Sequence, residues 1–216
     1  METESAALEL AGIFLCFAGC ILSVVATLLP QWLMYSTELL VTEKYIQGLW
    51  EACVIHELGT IQCGPHGNLL ELPAEIRVAR ILLCTSVTAG ILGFLSSFLG
   101  LNSVNFFSKI FYLKGNTKAF GGILALLAGI AALVPVSYVS HVTLVKFWDP
   151  TIPEIIPRWE FGNAILCGWI GSFLFLFSSV FLFVSYYCGN LSNLGVHSHM
   201  EAEIQRNVNC CKMDCV

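Results

Sequence analysis

Four long apolar segments dominate the pattern of hydrophobic and polar positions along this 216-residue chain. They cover residues 8–29, 81–101, 119–140 and 163–187, and each carries few charged residues or none. A helix needs about 20 apolar residues to cross a bilayer core, and a single helix satisfies its own backbone hydrogen bonds. A buried helix of a soluble protein is usually shorter and keeps a polar face. The pattern therefore predicts an α-helical membrane protein with four spans.

The polar segments between the spans determine the predicted topology. They are a long loop at 30–77, short loops at 102–118 and 141–161, and a tail at 188–216. Basic residues are balanced between the two sides, so the charge rule for orientation does not decide. The pair Cys53 and Cys63 does decide, because disulfides persist outside the cytosol. We expect one domain (1–187) in the plasma membrane, both termini in the cytosol and a disordered tail.

The composition excludes several classes of function. The chain is 56% hydrophobic and 12% charged, with a net charge of −5, which gives no reason to expect nucleic-acid binding. Its acidic start and long first apolar segment are unlike a removable signal peptide. Titratable groups do not converge on the spans, so we expect no enzyme, cofactor or proton relay. His197 and His199, with the tail cysteines, match no structural zinc spacing, and no metal is expected.

Glycines recur within the spans at intervals of seven residues. The pairs are Gly12 and Gly19, Gly93 and Gly100, and Gly122 and Gly129. Small residues allow helices to approach closely in lipid, and a period of seven keeps them on one face of a left-handed bundle. These glycines are expected to pack the helices against one another.

The long loop contains a predicted β-hairpin. Two β-branched runs flank a segment that ends in Gly59, and a three-residue hairpin loop commonly has glycine at its last position. This register places His56 opposite Thr60 and Cys53 opposite Cys63. Their disulfide would join the two strands and stabilise so short a loop by roughly 2–3 kcal/mol. Because an isolated hairpin is marginal, further strands are expected from residues 32–46.

Together, these features resemble the claudins of tight junctions. The family pattern stands here as Trp32, Gly48-Leu49-Trp50, Cys53 and Cys63, followed by Arg80 near the second span. The second outer loop adds Phe147-Trp148-Asp149-Pro150 and Arg158-Trp159-Glu160-Phe161-Gly162. The chain looks most like the higher-numbered, little-characterised members. Peripheral-myelin-type proteins and calcium-channel gamma subunits share the first motif, so an auxiliary channel subunit that forms no strands is the alternative.

The resemblance implies a fold and a mode of assembly. Claudins form a left-handed four-helix bundle beneath an extracellular antiparallel β-sheet, and they polymerise with themselves and other claudins within and between membranes. By this likeness, Leu69 would insert into a neighbour's pocket lined by Phe147 and Trp148, with Pro150 and Glu160 among the contacts. Membrane-interface anchoring is the alternative for the aromatic residues. The expected function is sealing or weak gating of the paracellular space.

Selectivity and the C-terminal contact are also inferred by resemblance, whereas acylation is inferred from the positions of the cysteines. Cation-selective claudins carry carboxylates where this chain has His56, Gly64 and Pro65, which favours a barrier or a weakly selective pore. Many claudins dock their C-terminal carboxylate into a PDZ domain by strand addition, and Val216 fits that mode. Membrane lipid is expected to hold acylated cysteines, with palmitoylation predicted at Cys188, Cys210 and Cys211; an unmodified tail is the alternative.

Overall fold

The computed structural model describes residues 2–36, 43–56, 60–65, 74–101, 111–148 and 159–213. The helices are α1 (Glu2–Leu28), α2 (Ala74–Leu99), α3 (Phe111–Phe147) and α4 (Asn163–Met213). The strands are β1 (Leu33–Ser36), β2 (Glu43–Gln47), β3 (Glu51–His56), β4 (Ile61–Pro65) and β5 (Glu160–Phe161). All four helices are long and apolar enough to cross a membrane, so the predicted fold class is confirmed.

The four helices pack as a bundle. The most extensive contacts join α1 to α4, α2 to α3 and α3 to α4. Each of these interfaces contains one of the glycine pairs: a Cβ on Gly19 would contact Phe175, one on Gly93 would contact Ala125, and one on Gly129 would contact Leu176. The glycines therefore lie where neighbouring helices approach most closely, as the seven-residue spacing predicts.

Among the described residues, two groups of buried apolar side chains form the core. One lies where the bundle meets the sheet: Trp32, Leu49, Ala79, Leu83, Ala132, Val136, Val139, Ala164 and Ile165. The other lies further along the helices and contains Cys16, Cys20, Ala125, Ala128 and Phe175. Because the first group includes residues of both the bundle and the first loop, the sheet is part of the same hydrophobic core.

The five strands form one antiparallel sheet in the order β4-β3-β2-β1-β5. Cys53 is paired with Cys63, and the His56 amide donates to the Thr60 carbonyl over 3.0 Å, which confirms the register predicted for the hairpin. The last strand, β5, comes from the second loop and pairs with β1 through Leu33–Phe161 and Met34–Glu160. Both loops therefore contribute to one sheet, at the end of the bundle that we call the sheet end.

The helices extend beyond the predicted spans. α2 begins at Ala74 instead of residue 81, because Ile76 and Ala79 are buried although charged neighbours lower the hydropathy of this stretch. α3 begins at Phe111 and continues to Phe147. α4 continues to Met213, so it includes most of the tail whose composition predicted disorder. Extension of an existing helix needs no new nucleus, and each added residue brings a backbone hydrogen bond.

Candidate interaction surface at the sheet end

The disulfide between Cys53 and Cys63 joins neighbouring strands, with 4.1 Å between the Cα atoms. It pairs a buried residue of β3 with an exposed residue of β4, so only one side of the bridge faces solvent. The predicted disulfide is confirmed. The carboxylate of Glu51 lies near both sulfurs, but the disulfide uses both cysteines, and this group is not a metal site.

Two tryptophans of the first loop cap the end of α1. Trp32 Nε1 donates to the carbonyl oxygen of Ala26 over 2.8 Å, and Trp50 Nε1 donates to that of Thr27 over 2.9 Å. The last carbonyls of a helix have no partner within the helix, and in an apolar setting an unpaired carbonyl is costly. Trp32 is completely buried. The two indoles therefore join the sheet to the first helix through hydrogen bonds.

Arg80 connects the same loop to α2. Its Nε donates to the carbonyl oxygen of Leu49, and its guanidinium carbon lies 5.1 Å from the centre of the Trp50 ring. A cation over an aromatic face is stabilised. The residue is 8% exposed, and one terminal nitrogen has no hydrogen-bond partner among the described residues. Arg80 thus holds the Gly48–Trp50 turn against the bundle.

Two glycines allow backbones to meet without a side chain between them. A Cβ on Gly48 would lie 2.6 Å from the Cα of Pro30, and one on Gly162 would collide with the carbonyl oxygen of Gln31. The Gly162 amide donates to the carbonyl oxygen of Trp32 over 2.9 Å. The Ala164 amide donates to the carbonyl oxygen of Gln31 over 3.0 Å. These bonds attach the second loop beside the first.

Phe147 is the last residue of α3 and Trp148 follows it, at the sheet end of the bundle. The Trp148 side chain is 74% exposed, and the two rings meet edge to face with centroids 5.6 Å apart. An exposed tryptophan next to a half-buried phenylalanine is a surface that can receive an apolar side chain or meet the membrane interface. Either role would cover the indole.

The structure brings most of the predicted site residues to one region. Trp32, Leu49, Trp50 and Arg80 connect the bundle to the sheet through hydrogen bonds, and Gly48 lies against Pro30. The disulfide lies within the sheet, and Glu160 is exposed on β5. Leu69, Pro150 and Val216 lie outside the described residues. Cys188 is exposed on α4. Cys210 and Cys211 lie on the backbone of the same helix, and their side chains are outside the description.

One buried ion pair was not predicted. Lys118 and Glu9 meet with 2.8 Å between Nζ and Oε2, at the end of the bundle opposite the sheet. The residues are 109 positions apart, so no local pattern links them. The only signal in the sequence is an acidic residue at the start of an apolar segment.

The sequence profile of the PMP-22/EMP/MP20/Claudin family matches residues 6–182. The chain is 32% identical to claudin-1 of Mus musculus over 82% of this chain and 85% of the relative. It is also 32% identical to claudin-7 of Homo sapiens over 87% and 90% of the two chains. Claudin-2 of Bos taurus is 31% identical over 88% and 83%.

The chain therefore belongs to the PMP-22/EMP/MP20/Claudin family. Its claudin relatives support the class of structural, multi-pass membrane proteins of tight junctions, rather than an enzyme. Among the residues that carry the resemblance, Trp32, Trp50 and Arg80 fix the sheet to the bundle, which gives this part of the family pattern a physical role.

Proposed function

We propose that this protein polymerises side by side within one membrane and meets polymers of the neighbouring cell. In this way it seals or weakly gates the paracellular space. The main support is the claudin relationship over most of the chain. A sheet that is formed by both loops and shares a core with the bundle supports such contacts, because its position relative to the helices is defined.

The proposed orientation places the sheet end outside the cell and both termini in the cytosol. The disulfide supports this orientation, because disulfides are retained in oxidising compartments. The charge rule adds no weight here, because basic residues are balanced between the two sides.

The proposed contact within one membrane inserts Leu69 of one copy into a pocket of the next copy that is lined by Phe147 and Trp148, with Pro150 and Glu160 among the contacts. The large exposed fraction of Trp148, 74%, supports a partner at this position. Two different patches that bind each other form a heterologous contact, which extends into filaments when it does not close. This geometry would produce a strand.

The proposed pore is a barrier or has weak charge selectivity. The three residues where cation-selective claudins carry acids are His56 at the end of β3, and Gly64 and Pro65 in β4. A narrow slot favours counter-ions only when one sign of charge lines it. The dilution potential across an epithelium that expresses the protein would measure this property.

The tail is proposed to hold the protein at the inner face of the membrane. Cys188 is exposed just before the end of the apolar part of α4, where palmitoylation would place the acyl chain in lipid. Cys210 and Cys211 are further candidates. Val216 is proposed to bind a PDZ scaffold by strand addition, which a pull-down with and without this residue would test.

Freeze-fracture microscopy of claudin-null fibroblasts that express the chain tests the proposal. Continuous strands at cell contacts are expected. Surface expression without strands, both when the chain is expressed alone and when it is expressed with a second claudin, would contradict polymerisation. That result would favour the auxiliary-subunit alternative. The relatives described above are claudins, so the comparisons do not favour that alternative.

A further inference from the structure

The carboxylate of Glu51 lies beside the disulfide of the first loop. One of its oxygens and the sulfurs of Cys53 and Cys63 all lie within 4.8 Å of one another. Strand geometry explains the proximity: Glu51 and Cys53 are two positions apart on β3 and share a face, while Cys63 lies opposite Cys53 on β4. A negative charge is therefore held next to both atoms of a reducible bond.

We propose that Glu51 protects this disulfide electrostatically against attack by anionic thiols. Reduction begins when a thiolate attacks one sulfur and the other sulfur leaves with the electron pair of the broken bond. Cys63 is exposed and Cys53 is buried, so the attacking thiolate reaches Cys63 and Cys53 is the leaving group. The carboxylate repels the approaching anion and also opposes the negative charge that develops on the Cys53 sulfur.

The complete reaction consumes two molecules of a thiol such as glutathione. The first forms a mixed disulfide with Cys63, and the Cys53 sulfur takes up a proton. A second thiolate attacks the glutathione sulfur of that mixed disulfide, which releases oxidised glutathione and a Cys63 thiolate that is then protonated. Glu51 acts on the first step, in which one negative charge approaches with the thiolate and passes to the Cys53 sulfur, and it takes no part in the bond changes.

The protection matters because the bridge joins β4 to the rest of the sheet. β4 is an edge strand whose only strand neighbour in the described sheet is β3. Loss of the bridge would leave this edge held by its backbone ladder alone. A nearby charge that slows reduction would lengthen the time for which the edge strand stays in place.

The test compares the full-length protein in detergent with its Glu51→Gln variant. Free thiols are first blocked by alkylation; glutathione is then added, and the released Cys53 and Cys63 are quantified by mass spectrometry. At low ionic strength, Glu51→Gln is expected to be reduced about fourfold faster, the effect of one charge at this distance in water. The ratio should fall towards one in 0.5 M salt, where screening is strong.

Two controls separate charge from structure. Glu75→Gln removes a carboxylate from the first turn of α2, outside the sheet, and should leave the rate unchanged. Cysteamine, whose ammonium group offsets the charge of its thiolate, should show a smaller Glu51→Gln effect than glutathione. Equal acceleration with both thiols, independent of salt, would mean that the variant only loosens the sheet and would overturn the proposal. An unchanged rate with glutathione would overturn it as well.

Discussion

Lys118 of α3 and Glu9 of α1 form an ion pair of 2.8 Å between helices that lie diagonally across the bundle. The exposed fractions of the two side chains are only 13% and 4%. Removal of one member of a buried pair leaves the other charge uncompensated. We expect Lys118→Met to lower the free energy of unfolding by on the order of 3 kcal/mol.

The double variant Glu9→Leu/Lys118→Met is the control for that prediction. It removes both charges, so its cost should be smaller than that of Lys118→Met alone. Thermal unfolding of the detergent-solubilised protein measures the difference. A double variant as unstable as the sum of the two single variants would show that the ion pair does not couple these helices.

The indole hydrogen bond of Trp32 gives a second prediction. Trp32→Phe keeps an aromatic ring but removes the donor to the Ala26 carbonyl, which leaves a buried acceptor unpaired. The expected loss is about 1–3 kcal/mol of unfolding free energy. Trp50→Phe should cost less, because its side chain is 43% exposed and water can replace the lost donor. Equal melting temperatures for the wild type and Trp32→Phe would contradict the capping role.

Gly162 and Gly64 form a matched pair for a third prediction. A Cβ on Gly162 would collide with the Gln31 carbonyl, whereas one on Gly64 would meet no atom of the described residues within 4 Å. Gly162→Ala should therefore destabilise the protein by about 1–3 kcal/mol, a typical cost of overpacking, and reduce its amount at the cell surface. Gly64→Ala should behave like the wild type in surface biotinylation. Similar losses in both variants would argue against the tight contact.

The disulfide gives a fourth prediction. Cys53→Ser should destabilise the first-loop sheet by roughly 2–3 kcal/mol and reduce surface delivery. Cys84→Ser is the control, because Cys84 is a free, exposed cysteine on α2. Normal delivery and normal strands for Cys53→Ser would show that the sheet does not depend on the bridge.

The proposed contact within one membrane gives a fifth prediction. Leu69→Glu should leave the monomer folded but weaken polymerisation, because burial of an unpaired carboxylate in an aromatic pocket is costly. Freeze-fracture images should show short or interrupted strands, while surface biotinylation shows normal delivery. Continuous strands would reject the role of Leu69.

The sequence predicted the features that depend on local pattern. Long apolar runs identify the helices, and the hairpin register follows from Gly59 and the positions of Cys53 and Cys63. β5 was missed because it has two residues and its partner β1 lies in the other loop. The first turns of α2 were missed because Arg77 and Arg80 lower the mean hydropathy of this segment. Arg80 is nevertheless buried there, where it donates to the Leu49 carbonyl.

The contribution of both loops to one sheet defines what can be exchanged between relatives. β1 pairs with β2 of its own loop on one side and with β5 of the second loop on the other. A chimera that receives only the first loop must therefore form its β1–β5 pairing between segments of different origin. The two loops, with Gly162 beside Gln31, should therefore be exchanged together. A property that single-loop exchange assigns to one loop depends in part on the pairing between β1 and β5.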